Sequence, residues 1–214
     1  MTVLEEISLS LQKGRMKTVL GLVEQAIGEG LSAQQILDDG LLAAMAVIGE
    51  RFKNNEVFIP EVLVAARAMN ASVALLKPLL VQDGAQPRGR ACIGTVKGDL
   101  HDIGKNLVKL MLEGKGLEVI DLGTDVPPDR FIQAAVEHDC QLICCSAMLT
   151  TTMPAMREVV EACENADIRN HVKIMVGGAP ITQSFCDDIG ADRYTPNAAL
   201  AAEAALSLCE SMRG

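Results

Sequence analysis

The 214-residue chain has no tryptophan, one tyrosine and four phenylalanines, so it offers no aromatic cage for a quaternary ammonium group. Such a substrate would have to bind another protein. Histidine is nearly as scarce. His101, His138 and His171 are scattered, and neither an HxxxH pair nor a mixed Cys/His set accompanies His101, which excludes a zinc cluster. A metal at His101 must therefore arrive inside its own cofactor. No basic run offsets the formal net charge of -9, which argues against nucleic acid or an anionic membrane as partner. No CxxC occurs among the seven cysteines, at 92, 140, 144, 145, 163, 186 and 209. An odd count without pairing motifs fits buried, reduced thiols, with Cys144 and Cys145 still open to a redox-sensitive reading. No apolar stretch is expected to reach transmembrane length, and the opening MTVLEEISLS carries acidic residues where a signal peptide needs basic ones. The expected location is cytoplasmic. What the chain does have is apolar content, 49% hydrophobic residues, sufficient for a full core and against disorder.

Two patterns divide it. Residues 1 to about 80 read as four helices. Thr2 with Glu5 and Ser32 with Gln35 are capping-box pairs, Gly14 follows the first helix, and Pro60 suits the first turn of the fourth. Leu37, Leu41, Met45, Ile48 and Phe52 keep a helical stripe. The polar VQDGAQPRGR (81–90) reads as a linker. Beyond it, apolar runs alternate with helical segments: ACIGTV (91–96), LEVIDL (117–122), QLICCS (141–146), KIMVGG (173–178) and a weaker ADRYTP (191–196). This alternation predicts an α/β domain, residues 89–214, with a parallel five-stranded sheet covered on both faces. Residues 1–88 would form an all-α four-helix bundle before it. A flavodoxin-like, doubly wound strand order 2-1-3-4-5 would bring the loops after strands one, three and four to one rim.

Those loops are the unusual ones. The first, Gly98-Asp99-Leu100-His101-Asp102-Ile103-Gly104-Lys105-Asn106, sets a carboxylate two residues before a histidine between an expected strand and helix. With Asp99 on its Nδ1, His101 would present Nε2 as a metal ligand or a base. The competing reading is a surface loop whose Asp caps the next helix. The second loop, Ser146-Ala147-Met148-Leu149-Thr150-Thr151-Thr152-Met153, has four hydroxyls and no charge. That lining suits a neutral heterocycle or an amide-bearing ligand, unless the threonines merely start a helix. In the third, Gly177-Gly178-Ala179 removes side chains where something bulky could lie against the backbone; the alternative is an ordinary strand-to-helix turn.

Together the loops resemble the cobalamin-binding signature D-x-H-x-x-G, S-x-L, G-G of the methionine synthase and methyltransferase corrinoid-protein family. Forty-one residues separate Gly104 from Ser146 and 28 separate Met148 from Gly177, within that family's spacing. GERFKNNEVFIPEVLVAARAM (49–69) resembles the family's helical cap, so the likeness covers essentially the whole chain. Met148 stands where the signature has Leu, an apolar swap of similar volume.

The resemblance implies that His101 ligates cobalt from below, Asp99 holds its Nδ1, and Thr152 bonds to Asp99 in turn, with Thr150 as the rival hydroxyl. Ser146 would contact the displaced dimethylbenzimidazole and Thr150 would line its pocket. Gly104, Gly177 and Gly178 would make room for the nucleotide tail, with Tyr194 and Thr195 near its end. Gly98, Leu100, Asp102, Ile103, Met148, Leu149 and Ala179 complete the contact set. Phe58, Val62, Ala65 and Met69 share one helical face, and Phe58 and Val62 are candidates for an apolar lid over the upper cobalt face, with packing inside the bundle as the competing role.

By the same resemblance the chain is a methyl carrier whose cobalamin cycles through cob(I)alamin, methylcobalamin and cob(II)alamin. It would take a methyl group from a substrate:corrinoid methyltransferase and deliver it to a second one, with coenzyme M or tetrahydrofolate as acceptor. Methylated amines, betaines, methanol and methoxylated aromatics are the implied donors. An ATP-dependent reductive activase is a third implied partner, and alone the chain would not turn over. Two other classes stand beside this reading. A cobalamin-based regulator or light sensor would use the same His loop but normally carries an output segment and an aromatic cap residue. A receiver-like or flavodoxin-like domain would bind no cobalamin.

Overall fold

The computed structural model describes residues 1–84 and 86–212, which fall into two compact units, Met1–Gln86 and Pro87–Gly214. Helix α1 (Val3–Gln12) starts at its capping box: the Glu5 amide donates to the Thr2 hydroxyl at 3.3 Å, and the Glu5 carboxylate accepts from the Thr2 amide at 2.8 Å. Helix α2 (Met16–Gly28) follows. A third rod runs from α3 (Ala33–Gln35) through a π-helical segment (Ile36–Leu42) into α4 (Ala43–Lys53). There the predicted stripe slips. Ile36 is fully buried and Leu37 only partly, because the backbone winds wider and the Ala43 amide reaches back five residues to the Asp38 carbonyl.

Helix α5 (Ile59–Gln82) has Pro60 in its first turn, and the Glu61 carboxylate accepts from the Phe58 amide at 2.8 Å. It runs two residues into the expected linker. At 24 residues it is also long and apolar enough, by length and composition alone, to cross a membrane, which corrects the expectation that no segment is. Val62, Ala65, Ala66 and Met69 are buried along it, and Glu61, Arg67 and Lys77 punctuate it.

In the second unit, β1 (Arg90–Thr95), β2 (Glu118–Asp121), β3 (Leu142–Ser146), β4 (Lys173–Gly177) and β5 (Arg193–Tyr194) form one all-parallel sheet of order β2-β1-β3-β4-β5. Helices α6 (Ile103–Glu113), α7 (Pro128–Glu137), α8 (Pro154–Asn165), α9 (Gln183–Ile189) and α10 (Ala198–Ser211) cover it. Phe131, Met156 and Val159 from α7 and α8 pack in one core cluster, while Leu112 from α6 and Ala205 and Cys209 from α10 pack in the other. Adjacent strand residues point to opposite faces, so Cys145 joins the first cluster and Cys144 the second. All seven cysteines are buried thiols outside any disulfide. Burial pushes the Cys144 thiol up to about 12 and Cys145 well above its ordinary value, which makes both inert rather than redox-poised.

The register places the site. Thr95 lies opposite Ser146, and Ser146 opposite Gly177, so the loops after β1, β3 and β4 leave the carboxyl rim side by side. This is where the strand order reverses and α/β sheets bind ligands.

Candidate functional site

Asp99 organises the rim. Its side chain is fully buried, and both oxygens are saturated. Oδ1 faces the His101 ring Nδ1 at 2.7 Å and accepts from the His101 amide at 3.1 Å. Oδ2 accepts from the Met148 amide at 2.7 Å, the Leu149 amide at 3.3 Å and the Thr152 hydroxyl at 2.8 Å. Burial by itself would raise the Asp99 carboxyl. The Met148 and His101 amides, the His101 ring and the Thr152 hydroxyl outweigh it and hold the group far below the ordinary carboxylate range. An ionised carboxylate can only accept, so the ring proton belongs on Nδ1. Nε2 is left with its lone pair and no hydrogen-bond partner among the described residues, on a side chain 54% exposed.

The loop that carries this pair is pinned from several sides. The buried Thr95 hydroxyl, at the end of β1, donates to the His101 carbonyl at 2.8 Å, and the Asp99 amide donates to Val96 at 3.1 Å. From the loop after β2, Asp125 makes two further bonds, to Gly98 and to Asp99. Behind the loop, Lys105 buries its ammonium, 2% exposed, 2.6 Å from Asp121 Oδ1 and 2.7 Å from Asn106 Oδ1. Asn106 in turn donates to Asp102 at 3.0 Å. Asp121 also takes Lys109 and the Gly123 amide, which ties the start of α6 to the end of β2.

Around His101 the loops present apolar surface. Leu100, Ile103, Met148 and Leu149 are among the exposed large hydrophobic side chains of the protein. A Cβ added at Gly104 would meet nothing within 4 Å, and one at Gly177 only the Thr195 carbonyl at 3.9 Å. An outward-facing imidazole nitrogen, exposed apolar side chains on the same loops and two open glycines fit a large, partly apolar, metal-bearing ligand.

The structure separates the predicted residues. Asp99, His101, Met148, Leu149 and Thr152 converge in one hydrogen-bonded set, with Met148 and Leu149 acting through backbone amides. Thr152, not Thr150, reaches Asp99; Thr150 is exposed. Ser146 is half-buried at the end of β3. Asp102 precedes α6 but makes no side-chain cap bond. Gly178 has a different reason from the one expected. A Cβ there would lie 1.8 Å from the Ala147 carbonyl oxygen, at φ 131°, so the chain's own backbone demands this glycine, while Gly104 and Gly177 are the open ones. Ala179 is exposed and Thr195 half-buried, and Tyr194 packs on the α7–α8 core cluster. In the helical unit Val62 has no exposed surface and takes the packing role, whereas Phe58 is 65% exposed. Thr95, Asp125 and the Lys105–Asp121 pair escaped the sequence reading. Asp125 follows a Gly123-Thr124 turn that gave a weak signal, and backbone donors give none.

The B12 binding domain family matches residues 89–205, and a second B12 binding domain family matches residues 3–77. The chain is 42% identical over 206 residues to dimethylamine corrinoid protein 1 of Methanosarcina acetivorans, covering 96% of each. It is 41% identical over 179 residues to trimethylamine corrinoid protein 1 of the same organism, covering 83% of each. Its fold is similar to a chain of the methanol:cobalamin methyltransferase complex MtaBC from Methanosarcina barkeri, with TM-score 0.89 and 27% identity over 97% of this chain and 80% of that one. With the Asp99–His101 pair on an open, apolar rim and these matches over both units, the chain belongs to the B12-binding corrinoid protein family, and cobalamin is its cofactor.

Proposed function

We propose that this protein is the methyl carrier of a cobalamin-dependent methyltransferase system and that His101 would hold its cobalt. The observation that carries the assignment is the fully buried, ionised Asp99 holding the His101 Nδ1 proton at 2.7 Å while Nε2 faces outward. When bound, cobalamin would supply a cobalt centre able to carry a methyl group.

The chain's own residues supply the rest. Asp99 fixes the tautomer and orientation of the ring, as a carboxylate behind a metal-bound histidine does. Thr152 and the Met148 and Leu149 amides hold Asp99, so the carboxylate keeps its place against the Nδ1 proton. Leu100, Ile103, Met148 and Leu149 would offer apolar contact to the corrin, Gly104 and Gly177 would leave space for the nucleotide tail, and Ser146, at the end of β3, would contact the displaced base. Phe58 is the candidate from the helical unit for shielding the reactive face.

The MtaBC complex and the methylamine relatives support a methyltransferase as partner. The dimethylamine and trimethylamine corrinoid relatives favour methylated amines as the donor class. An acceptor methyltransferase using coenzyme M or tetrahydrofolate, and an ATP-dependent reductive activase, complete the proposed system. Seven buried cysteines outside any disulfide are consistent with the cytoplasm. The regulator reading is not favoured, because the relatives are corrinoid proteins named for methylamines.

The test has two arms. Electron paramagnetic resonance of the Co(II) form with labelled histidine should show nitrogen coupling that His101→Ala abolishes; a wild type without it removes the ligand assignment. Reduced protein mixed with a methylamine, or with betaine, methanol or a methoxylated aromatic in parallel, should take up no methyl group until a cognate methyltransferase is added. Uptake at the partnered rate without any added enzyme would make the chain a methyltransferase itself.

A further inference from the structure

We propose that Asp125, on the loop after β2, is a positioning residue for the axial-ligand loop, an inference that rests on His101 being the cobalt ligand. Neither hydrogen bond of Asp125 is to His101 itself. It grips the loop two and three residues before the histidine, from both its side chain and its backbone. Its carboxylate Oδ1 accepts from the Gly98 amide at 2.7 Å, and its own amide donates to the Asp99 carbonyl at 3.0 Å.

Both partners of this clamp sit in left-handed backbone. Gly98 has φ 82° and Asp125 φ 54°. For a residue with a Cβ that conformation is unfavourable, although Asp tolerates it better than most, and it persists where surrounding bonds over-determine it. The next residue supplies the anchor: the Val126 amide donates to Thr95 at 3.0 Å, and Val126 bridges Val96 in parallel fashion. Asp125 is thereby fixed to β1, a strand with neighbours on both sides.

The ligand loop needs such a hold. Lys97 and Gly98 are exposed, and the Gly98 amide has its bond from Asp125. Beyond that point the loop is secured by Asp99 and by Thr95. The second loop thus fixes the peptide planes on either side of that stretch, Lys97–Gly98 through the Gly98 amide and Asp99–Leu100 through the Asp99 carbonyl, while the third, through Met148, Leu149 and Thr152, fixes where the Asp99 carboxylate points. Releasing Gly98 frees the Lys97–Gly98 peptide plane that leads into Asp99, and so loosens the backbone that carries the carboxylate facing the His101 ring.

Three variants separate the contributions. Asp125→Ala removes the acceptor and strains the left-handed backbone. Asp125→Gly removes the acceptor but relieves the backbone and keeps the amide. Asp125→Asn keeps an acceptor oxygen and the tolerance of positive φ. The readout is the ratio of histidine-ligated to histidine-free Co(II), from nitrogen coupling with labelled histidine in full-length protein at matched cobalamin content. Ala and Gly should each lower this ratio about tenfold, the smaller end of what loss of an outer partner costs a metal site; Asn should restore it.

Amide hydrogen exchange of the cofactor-free protein gives a second reading. Protection should fall at Gly98 in the Ala and Gly variants and not in Asn, while the central strands stay protected. A wild-type ratio in Gly overturns the proposal, and so does failure of Asn to rescue. If Ala does not fold, Gly and Asn alone decide it. Absence of nitrogen coupling in the wild type would remove the ligand assignment and this inference with it, whereas coupling in the wild type with no change in Gly removes only the inference.

Discussion

Asp99→Asn tests the site at its centre, because an amide cannot satisfy the donors that converge there. The carboxylate takes two amides and a hydroxyl on Oδ2, and one amide and the ring nitrogen on Oδ1. Asparagine retains the larger set by turning its oxygen towards Met148, Leu149 and Thr152. Its NH2 group then meets the His101 amide, donor against donor, where the acceptor now stands 3.1 Å away. The loss of one charge-assisted bond and the unsatisfied amide should cost about 2–4 kcal/mol of folding stability.

The imidazole can adapt in one way. Nδ1 accepts from the new amide, so the proton moves to Nε2 and the outward nitrogen loses its lone pair. Heteronuclear resonance of the ring nitrogens in cofactor-free protein should show the proton on Nδ1 in the wild type and on Nε2 in the variant. Denaturant titration supplies the stability. The Co(II) form of the variant should lose nitrogen coupling at neutral pH although His101 is intact. A variant that keeps its proton on Nδ1 at wild-type stability would refute the reasoning.

Thr152→Val should destabilise the protein by about 1 kcal/mol, since Oδ2 keeps both amides, whereas the exposed Thr150→Val should stay within about 0.5 kcal/mol; urea unfolding compares them. Gly178→Ala forces a Cβ onto the Ala147 carbonyl and should cost more than about 2 kcal/mol, while Gly177→Ala, with open space before it, should leave the fold intact and weaken cobalamin retention. Asp121 is raised by burial but lowered more by Lys105 and the Gly123 amide, so its folded value lies below the ordinary one. The stability it contributes is therefore complete above about pH 4, its unfolded value, and is lost as pH falls through the folded value. Asp121→Asn should remove that part of the acid dependence in pH-resolved unfolding curves, and an unchanged slope would show the Lys105 pair to be inconsequential.

Much of the fold is written locally. The Thr2–Glu5 capping box, Pro60 at the start of α5 and the alternation of apolar runs from β1 to β5 follow from side-chain chemistry and hydrophobic period, which act within a few residues. The three ligand loops were legible as loops because glycines, hydroxyls and the Asp99-x-His101 spacing are unusual in themselves. The phase slip at Ile36 was not legible, since a π-helical turn differs from an α-turn by a single residue whose choice depends on what packs beside it.

The same division runs through the site. Sequence by itself determined that Asp99 and His101 stand two residues apart on a loop at a strand end, close enough to pair. Only the tertiary structure decided that Asp99 would be buried and ionised, because four of its partners come from residues whose position depends on the β1–β3 register or whose backbone amides carry no side-chain signature. It also decided between Thr152 and Thr150, gave Gly178 to the chain's own backbone and Gly177 to open space, and brought Asp125 across from another loop. Local chemistry fixes which groups a loop offers, and the parallel sheet, by aligning Thr95, Ser146 and Gly177 at one rim, fixes which of them meet.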